Sequence, residues 1–439
     1  MTLFDKGMKM KLDCGDEASV VRLIRNDRHC DVYEVILNDE IRILKYYSDL
    51  SFSDTSAFYD FIAAKLKDGP PSERFYWPGA LTEKTNEGFG YVTGCVPKSY
   101  HDLDEFLLLK ADFSSYAKRL NAAIEIVRAF ECLHEKGYFF QSADSNVFLV
   151  DGNTGDVVID DCEYITSVCA GARGSIKFEA PEVIAGKCKS DMHSDLFLLS
   201  ELLFVILFSA HPFEGRRLDC HAYITRDAKQ EFYAKSPIFA FDPNDESNRP
   251  VSGVSGYEIQ LWKKIPKAIK EKFYQAFSRS SLGYGDLEEI RKNRVACEAW
   301  RHELVNLRSR LVKCPACGED LFLDFDSQTI CPNSKCGHVI GKNRILAFGN
   351  GEYRVPIFPG VGIYKCMVDS LSDDCETQIG SITVNPQNPN ILGIKNESSK
   401  PWLAVSKKTI ESGRILSFSA FDEVYFDQCE QKGFAKIID

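Results

Sequence analysis

Four cysteines within 23 residues place the strongest constraint on how this chain can fold. They form two pairs with the spacings C-x2-C and C-x4-C, separated by thirteen residues: Cys314, Cys317, Cys331 and Cys336. Gly318 and Gly337 each follow the second cysteine of a pair, at the point where the backbone would curl around a metal ion. Four thiolates match the tetrahedral coordination of Zn²⁺, so the spacing predicts a zinc ion bound to these four residues.

The pattern resembles a zinc ribbon. This resemblance implies a structural metal, since four protein ligands leave no open coordination position for catalysis. A segment of this length buries too little apolar surface to fold alone, so metal binding would supply its folding free energy. We expect the segment to join the regions before and after it as a rigid spacer, with the neighbouring His338 on the surface. Free thiols in a protein core are the alternative interpretation.

The periodicity of apolar residues differs on the two sides of the cysteine segment. The N-terminal part contains strand-like runs and one helix from Thr55, whereas Leu120, Ile124 and Val127 begin a long region of helical spacing. After the cysteines, short β-like runs alternate with clusters of Gly, Pro, Asn and Ser. The sequence therefore predicts an α+β protein of four parts: a β-rich lobe (18–96), a helical lobe (97–308), a zinc ribbon (309–342) and a small all-β sandwich (343–439).

Composition and charge exclude several classes of protein. The 53 Lys and Arg residues against 64 Asp and Glu give a net charge of −11, which argues against a nonspecific nucleic-acid binder, so no nucleic-acid partner is expected. The longest apolar run, Leu196–Ala210, is too short to span a bilayer and predicts a buried core helix, so no membrane partner is expected. Sixteen cysteines without a signal-like apolar segment indicate a reducing, cytoplasmic location.

An ordered set of motifs runs through the centre of the chain. It comprises Ala180-Pro181-Glu182, Asp195 and His211-Pro212-Phe213, with Lys45 at the end of an upstream apolar strand and Arg294 downstream. Together these motifs resemble the protein kinase family over residues 18–308. The resemblance implies a bilobal kinase-like fold, in which Asp195 holds the backbone of the catalytic loop and Arg294 pairs with Glu182.

The same resemblance implies a nucleotide site. Lys45 would bind the phosphates, and Asp60, in the following helix, would be the acidic partner of Lys45. Asn146 and Asp161 would supply the oxygen ligands of magnesium, with Asp160 as an alternative ligand one residue earlier. ATP and magnesium are therefore the expected ligands besides zinc.

Two departures from the kinase pattern weaken this chemistry. Gln141 occupies the position of the catalytic-loop aspartate, and an amide cannot accept the proton of a hydroxyl, which typically costs about two to four orders of magnitude in rate. Asp144, in the same loop, is either an alternative base or an ordinary loop cap. Arg25, Asp27 and Cys30 occupy the positions of the three phosphate-loop glycines, so the backbone cradle for phosphate is lost.

Several phrases narrow the resemblance within the kinase family. They are FYWPGALT (75–82), FGYVTGCVPKSYHDLDEFL (89–107) and HPFEGR (211–216). These phrases resemble a bacterial subgroup of kinase-like proteins associated with tellurite resistance and stress. Members of that subgroup occur beside a von Willebrand A-type protein and a metal-dependent Ser/Thr phosphatase, so the resemblance implies these two as protein partners.

The last part of the chain resembles a divergent forkhead-associated domain, a β-sandwich that binds phosphothreonine peptides. The phrase IKNESSKPWLAV (394–405) carries this resemblance, and Asn396, Ser398 and Ser399 are the residues that would donate to a phosphate or a carbonyl. The Gly-Arg and Ser-x-x-His elements of the family's phosphate site have no counterpart here. A sandwich that binds protein without reading phosphate is therefore the alternative.

These features predict a pseudokinase that acts as a signalling scaffold and binds nucleotide without efficient phosphotransfer. Two alternatives remain open. One is an active atypical Ser/Thr protein kinase that uses Asp144 as its base, and the other is a phosphopeptide-binding adaptor that acts through the C-terminal β domain.

Overall fold

The fold begins with a curled antiparallel sheet. The structure is a computed structural model that describes residues 3–26, 30–48, 55–141, 144–169, 176–219, 225–282, 285–349, 351–369, 372, 374–385, 388–427 and 433–438. Six strands form the first sheet in the order β1-β2-β3-β4-β6-β5: β1 (Lys9–Lys11), β2 (Glu17–Asn26), β3 (Asp31–Leu37), β4 (Glu40–Ser48), β5 (Ala80–Leu81) and β6 (Gly88–Thr93). Asn38 and Asp39 form the tight turn between β3 and β4, and both residues adopt the positive φ that such a hairpin requires.

One helix packs on this sheet. It is α1 (Thr55–Asp68), and its apolar side, including Ile62, shares a small core with Phe89 of β6. The helix ends at Gly69, which has a φ of 74° and is followed by two prolines. A left-handed glycine followed by proline is a typical helix end, since proline cannot continue the helix.

The middle of the chain is mainly helical. Its helices are α2 (Leu103–Leu107), α3 (Tyr116–Glu135), α4 (Pro181–Ile184), α5 (Met192–Phe208), α6 (Arg216–Asp219), α7 (Arg226–Gln230), α8 (Gly256–Lys264), α9 (Lys267–Ala276), α10 (Leu287–Asn293) and α11 (Cys297–Arg310). Five short strands lie among them: β7 (Tyr100–Asp102), β8 (Phe139–Phe140), β9 (Phe148–Asp151), β10 (Val157–Ile159) and β11 (Ile165–Thr166). They form the small sheets β10-β9-β7 and β11-β8.

Helix α5 is the centre of the core. Every residue from Phe197 to Phe208 is buried, and aromatic rings from several neighbouring helices surround Phe204. The prediction of a buried core helix for this apolar run is therefore confirmed. No helix in the described ranges combines the length and apolarity needed to cross a bilayer.

The cysteine segment forms two small hairpins after α11. Strand β12 (Leu311–Lys313) pairs with β13 (Asp320–Phe322), and β14 (Thr329–Ile330) pairs with β15 (Val339–Ile340). Each hairpin carries one pair of the four cysteines, which places the two pairs side by side.

The C-terminal part consists of two antiparallel sheets. One has the order β17-β16-β25-β24-β21-β22 and the other the order β18-β19-β20-β23. The bounds are β16 (Ile345–Phe348), β17 (Tyr353–Pro356), β18 (Gly362–Tyr364), β19 (Gln378–Asn385), β20 (Asn388–Asn396), β21 (Trp402–Ala404), β22 (Thr409–Ile410), β23 (Ile415–Ser417), β24 (Glu423–Tyr425) and β25 (Phe434–Ile438), with a short α12 (Lys365–Val368) after β18. The ring of Trp402 closely approaches the backbone of Gly380, so the inner faces of the two sheets meet there.

The C-terminal sheets contact the helical part directly. Arg308 of α11 donates from Nη2 to the carbonyl oxygen of Cys375 at 2.5 Å, and its guanidinium lies 3.7 Å from the ring centre of Tyr364. Arg74, in a turn between α1 and β5, lies 2.9 Å from the Glu376 carboxylate. One continuous apolar core runs from the helices into the C-terminal sheets. The cysteine segment therefore does not act as a spacer that holds the two apart, and the predicted α+β architecture is confirmed at the level of its elements.

Candidate functional site

A buried lysine lies among three carboxylates, those of Asp160, Asp161 and Glu163. The side chain of Lys45 on β4 is 3% exposed, and its Nζ contacts Oδ1 of Asp161. The same atom lies 3.2 Å from Oδ1 of Asp160 and 3.6 Å from Oε2 of Glu163. Lys45 is more than 110 positions away from Asp160 and Asp161 in the sequence, and the fold brings them into contact. The sequence had assigned Lys45 and Asp161 to one site, and this contact is what that assignment requires.

The loop that carries these carboxylates is held by backbone hydrogen bonds. It follows β10, and the N–H of Ile159 donates to the carbonyl oxygen of Arg74 at 2.8 Å. The N–H of Asp160 donates to the carbonyl oxygen of Val147 at 3.0 Å, which ties this loop to the loop of Asn146. Asp161 has a φ of 49°, a left-handed conformation that an aspartate tolerates better than most residues, and a 3₁₀ turn from Cys162 to Tyr164 follows.

Glu163 is a member of the cluster that the sequence did not reveal. Its two carboxylate oxygens accept hydrogen bonds from the hydroxyls of Tyr47 and Tyr91, each at 2.7 Å. Tyr47 lies two residues after Lys45, and Tyr91 is the cross-strand neighbour of Lys45 on β6. All three side chains therefore project from one face of the sheet. One feature of the sequence could have identified Glu163: it places a carboxylate at the third position of Asp161-Cys162-Glu163, where the kinase motif has glycine.

The charges in this cluster stabilise one another. Burial opposes the charged form of Lys45, but Glu163, Asp160 and Asp161 raise its pKa well above the ordinary value. Burial also opposes ionisation of Glu163, yet the lysine charge and the two tyrosine hydroxyls lower its pKa below the ordinary value. The pKa of Asp161 is raised by burial and by the neighbouring carboxylates, with Lys45 acting in the opposite direction. At neutral pH, Lys45 and Glu163 are therefore an ion pair.

The other predicted nucleotide-site residues lie around this cluster. Asp60 is exposed on α1, and the carboxylates that pair with Lys45 in the structure are those of the loop after β10. Asn146 is exposed in a 3₁₀ turn that spans Ser145–Val147. The structure brings Lys45 and Asp161 together, and it places Asn146 in the neighbouring loop.

The two residues assigned to the base function occupy one loop. Gln141 is half-buried, its N–H donates to the carbonyl oxygen of Tyr164 at 2.9 Å, and its carbonyl oxygen accepts from Oγ of Ser190 at 3.2 Å. Asp144 accepts a hydrogen bond from the N–H of Ser145 at 3.1 Å and so caps the 3₁₀ turn. Burial and the nearby Asp104 raise the pKa of Asp144. Asp144 therefore acts as a loop cap, one of the two roles that the sequence allowed for it.

The hairpin between β2 and β3 is the segment to which the kinase resemblance assigns the phosphate loop. Of its three non-glycine positions, Arg25 and Cys30 are described, whereas Asp27 lies outside the described residues. Cys30 is half-buried beside the Lys45 cluster, and burial, followed by the charge of Glu163, raises its pKa to about 12. The thiol of Cys30 is therefore neutral at physiological pH and adds no charge to the cluster.

Two predicted long-range anchors are confirmed. Nη2 of Arg294 donates to both carboxylate oxygens of Glu182 at 2.7 and 2.9 Å, and both side chains are buried. The carboxylate of Asp195 accepts from the N–H of Phe140 at 3.1 Å and lies 3.1 Å from Nε2 of His134. Asp195 therefore holds the backbone that immediately precedes Gln141, as the resemblance implied.

The four cysteines converge on one point. Their sulfur atoms all lie within 4.8 Å of one another, with Sγ of Cys314 at 3.9 Å from Cys336 and Sγ of Cys317 at 3.6 Å from Cys331. A tetrahedral site with metal–sulfur bonds of about 2.3 Å requires sulfur–sulfur distances of about 3.8 Å. The four sulfur atoms and the distances between them therefore fit a four-coordinate metal ion. The prediction that these four cysteines form a group able to hold a metal ion is confirmed.

Backbone turns shape both halves of this cluster. The N–H of Gly318 donates to the carbonyl oxygen of Cys314 at 2.8 Å, and the N–H of Gly337 donates to that of Asn333 at 3.2 Å. Both glycines have positive φ values, 77° and 60°, which the tight turn after each cysteine pair requires. His338 is exposed, as expected, and its carbonyl oxygen accepts from the N–H of Cys331.

Two of the three candidate phosphate-binding residues of the C-terminal sandwich, Asn396 and Ser398, have hydrogen-bond partners within the fold. Asn396 is fully buried, and its Nδ2 donates to the carbonyl oxygens of Lys400 and Ile410, each at 2.8 Å. Ser398 donates from Oγ to Oδ1 of Asn396 at 2.8 Å and accepts from Nε1 of Trp402 at 3.0 Å. Ser399 is exposed in the same turn. These hydrogen bonds stabilise the turn before β21. The Asn396 amide nitrogen donates to backbone carbonyl oxygens of the fold and not to a ligand.

Comparison with known protein families and with curated protein sequences found no match to this chain. The geometry of the two clusters is therefore the basis for inferring a function. One cluster is a lysine with three carboxylates on one face of the first sheet, and the other is a group of four cysteines between the helical part and the C-terminal sheets.

Proposed function

We propose that the chain is a kinase-like pseudokinase that binds nucleotide at the Lys45 cluster and serves as a signalling scaffold. The observation that carries the proposal is the contact of Lys45 with Asp160 and Asp161 across more than 110 residues. A lysine beside the carboxylates that follow a short β-hairpin is the arrangement that phosphoryl-transfer sites use to hold phosphates and Mg²⁺. The Glu182–Arg294 pair and the Asp195–Phe140 contact support the same assignment.

Weak or absent phosphotransfer follows from the residues at the base and phosphate-loop positions. Gln141 cannot accept a proton, and Asp144 is engaged as a loop cap. In addition, Lys45 is already paired with Glu163, which two tyrosines hold in place. An incoming phosphate must compete with these carboxylates for the lysine. Nucleotide binding would therefore depend on a divalent cation to offset the negative charge of the loop.

The four-cysteine cluster is proposed to hold a structural Zn²⁺. Zinc accepts four thiolates without an open position, and the sulfur–sulfur distances of 3.6 and 3.9 Å match that geometry. Cys314, Cys317, Cys331 and Cys336 would hold the ion, and its role would be to join the two small hairpins. The partners proposed for the scaffold are a von Willebrand A-type protein and a Ser/Thr phosphatase, as the resemblance implies.

Nucleotide binding and turnover can be tested together in the full-length chain. Thermal-shift measurements with ATP and Mg²⁺ or Mn²⁺ should show stabilisation by several degrees, and a radiolabel assay should show no phosphate transfer. The stabilisation should disappear in Lys45→Met and persist in Lys98→Met, a control at an exposed lysine outside the cluster. Autophosphorylation that disappears in Asp144→Ala would instead identify an active atypical kinase.

A further inference from the structure

Two buried cysteines lie side by side in the C-terminal part of the chain. Cys366, in α12, is 2% exposed, and Cys375, in the segment between α12 and β19, is fully buried. The backbone N–H of Cys366 donates to the carbonyl oxygen of Asp374 at 3.0 Å, which holds the two cysteines close together, and their thiols are hydrogen-bonded. This pair belongs neither to the Lys45 cluster nor to the four-cysteine cluster, and nothing in the proposed pseudokinase function uses it.

The surroundings of the pair give the two thiols different properties. The thiol of Cys366 donates a hydrogen bond to the sulfur of Cys375, and this bond lowers the pKa of Cys375. Burial acts in the opposite direction, but the positive charges of Arg308, Arg301 and Arg128 add to the lowering. The same hydrogen bond, together with burial, raises the pKa of Cys366. Because the thiolate is the nucleophilic form of cysteine, Cys375 is the attacking residue of the pair.

A cleft opens close to the pair. It has a volume of about 620 Å³ and is lined by residues of α3, α5 and α11. Ser372, which lies between the two cysteines in sequence, also lines it, as does Arg301, whose charge acts on both thiols. The cleft gives a small molecule a route towards the pair, whereas burial of both sulfur atoms excludes an oxidant as large as another protein.

The pair also lies where the C-terminal sheets contact the helical part. The carbonyl oxygen of Cys375 accepts the hydrogen bond from Arg308 of α11. The next residue, Glu376, lies 2.9 Å from Arg74 and 3.4 Å from Nη1 of Arg128. A covalent bond between the two cysteines would therefore fix the segment that makes these contacts.

We propose that Cys366 and Cys375 are a redox-active dithiol that a hydroperoxide oxidises to a disulfide. The Cys375 thiolate attacks one peroxide oxygen and the O–O bond breaks, which gives a sulfenic acid on Cys375 and releases hydroxide. The sulfur of Cys366 then attacks the sulfur of Cys375, so that an S–S bond forms, the S–O bond breaks and water leaves with the proton of Cys366. Hydroxide takes from solvent the proton that Cys375 lost on ionisation. Two thiols lose two electrons, and one molecule of hydrogen peroxide becomes two of water.

Peptide mass analysis of the full-length, zinc-loaded chain tests the proposal. The reduced chain is treated with hydrogen peroxide, alkylated with iodoacetamide and digested with trypsin. One tryptic peptide, 366–395, contains both cysteines and no others. We expect it to lose both alkylation sites and the mass of two hydrogen atoms, and to regain alkylation after treatment with a thiol reductant. Cys297 is the control, because it is also buried and is the only cysteine in its peptide, 295–301.

Two results would overturn the proposal. In one, peptide 366–395 stays alkylated at both cysteines while the exposed Cys14 is oxidised. In the other, Cys297 loses alkylation as readily as the pair, which would show general oxidation of thiols.

Serine variants test the separate roles of the two cysteines. Cys366→Ser removes the second thiol, so peroxide should leave a sulfenic acid on Cys375 that dimedone captures. Cys375→Ser removes the attacking thiolate, so the same peroxide treatment should give no dimedone adduct on Cys366. Equal labelling of the two variants would contradict the assignment of Cys375 as the attacking residue. If a serine variant fails to fold, the peptide test on the natural chain decides.

Discussion

The Lys45 cluster and the four-cysteine cluster are assembled in opposite ways. The cysteines lie within 23 residues, and two short hairpins bring their sulfur atoms to one point. The Lys45 cluster joins β4 and β6 to the loop after β10, and Lys45 is more than 110 positions away from Asp160 and Asp161 in that loop. A local cluster can be recognised completely from its spacing, whereas a long-range cluster is recognised only at the positions that match a known motif.

The difference is visible in Glu163, Tyr47 and Tyr91. Tyr47 and Tyr91 lie outside the motif that identifies Lys45 and Asp161, and Glu163 stands where that motif has glycine. Against the effect of burial, Glu163 raises the pKa of Lys45 together with Asp160 and Asp161, and the two tyrosines donate hydrogen bonds to the Glu163 carboxylate. The cysteine cluster, by contrast, consists of the four residues that the sequence spacing predicted. The two clusters should therefore respond differently to single substitutions, since we propose that one is held by a metal ion, whereas the other is held by pairing of opposite charges.

Loss of the metal should have the largest effect. Structural zinc contributes about 10–16 kcal/mol to folding in isolated zinc-finger peptides, so Cys314→Ser should unfold the two small hairpins. Elemental analysis should find one zinc per chain in the natural protein and far less in the variant. Cys14→Ser, at an exposed cysteine outside the cluster, is the control and should keep its zinc. A natural chain without zinc would contradict the assignment.

Breaking the buried ion pair between Arg294 and Glu182 should have the next largest effect. Arg294→Ala leaves a buried carboxylate without its partner, which typically costs about 3–5 kcal/mol, and the melting temperature should fall accordingly. The control is Arg279→Ala, which removes an arginine that is 74% exposed and paired with Asp245. That change should cost less than about 1 kcal/mol. Equal losses in the two variants would show that burial does not strengthen the pair.

A smaller effect is expected from Glu163→Gln, which keeps the shape of the side chain and removes its charge. Hydrogen bonds to a charged group contribute about 1.5–3 kcal/mol, so urea unfolding at pH 7 should show a loss of this size. Because the folded-state pKa of Glu163 is below the ordinary 4.5, its contribution is present above that pH and lost as pH falls. The difference between the natural chain and the variant should therefore shrink in acid.

Glu87→Gln provides the matched control for this pH dependence, since Glu87 is an exposed carboxylate on the hairpin before β6. Its unfolding free energy should equal that of the natural chain at both pH values. A Glu163→Gln difference that grows in acid would show that the folded-state pKa of Glu163 is raised above its ordinary value, and would contradict the expected direction.

The smallest effect is expected at Gln141. Gln141→Asp restores a carboxylate at the base position, but the phosphate loop still lacks glycine and Lys45 still pairs with Glu163. Positioning of the reacting groups is worth about 7–11 kcal/mol of a reaction barrier, so one restored residue should not produce measurable transfer. A radiolabel assay on both chains checks this expectation. Transfer in Gln141→Asp would mean that the base is the only defect.

Much of the secondary structure was predictable because it depends on local patterns. The hairpin at Asn38 and Asp39, helix α5 and the change from helices to strands after Arg310 all follow from turn residues or apolar periodicity. The C-terminal sandwich was expected as a separate unit. Its contact with the helical part was not, because the Arg308–Cys375 and Arg74–Glu376 interactions join residues with no local signal.

The sequence by itself determined the metal cluster, because ligand identity and spacing within two short hairpins leave few other arrangements. It also predicted that Lys45 and Asp161 would lie in one site, which the structure brings together. Only the tertiary structure decided that Glu163 pairs with Lys45 and that Asp144 caps a turn. The physical reason is that the strength of a charge pair depends on burial and on the atoms around it. Those atoms come from strands and loops that meet only when the chain has folded.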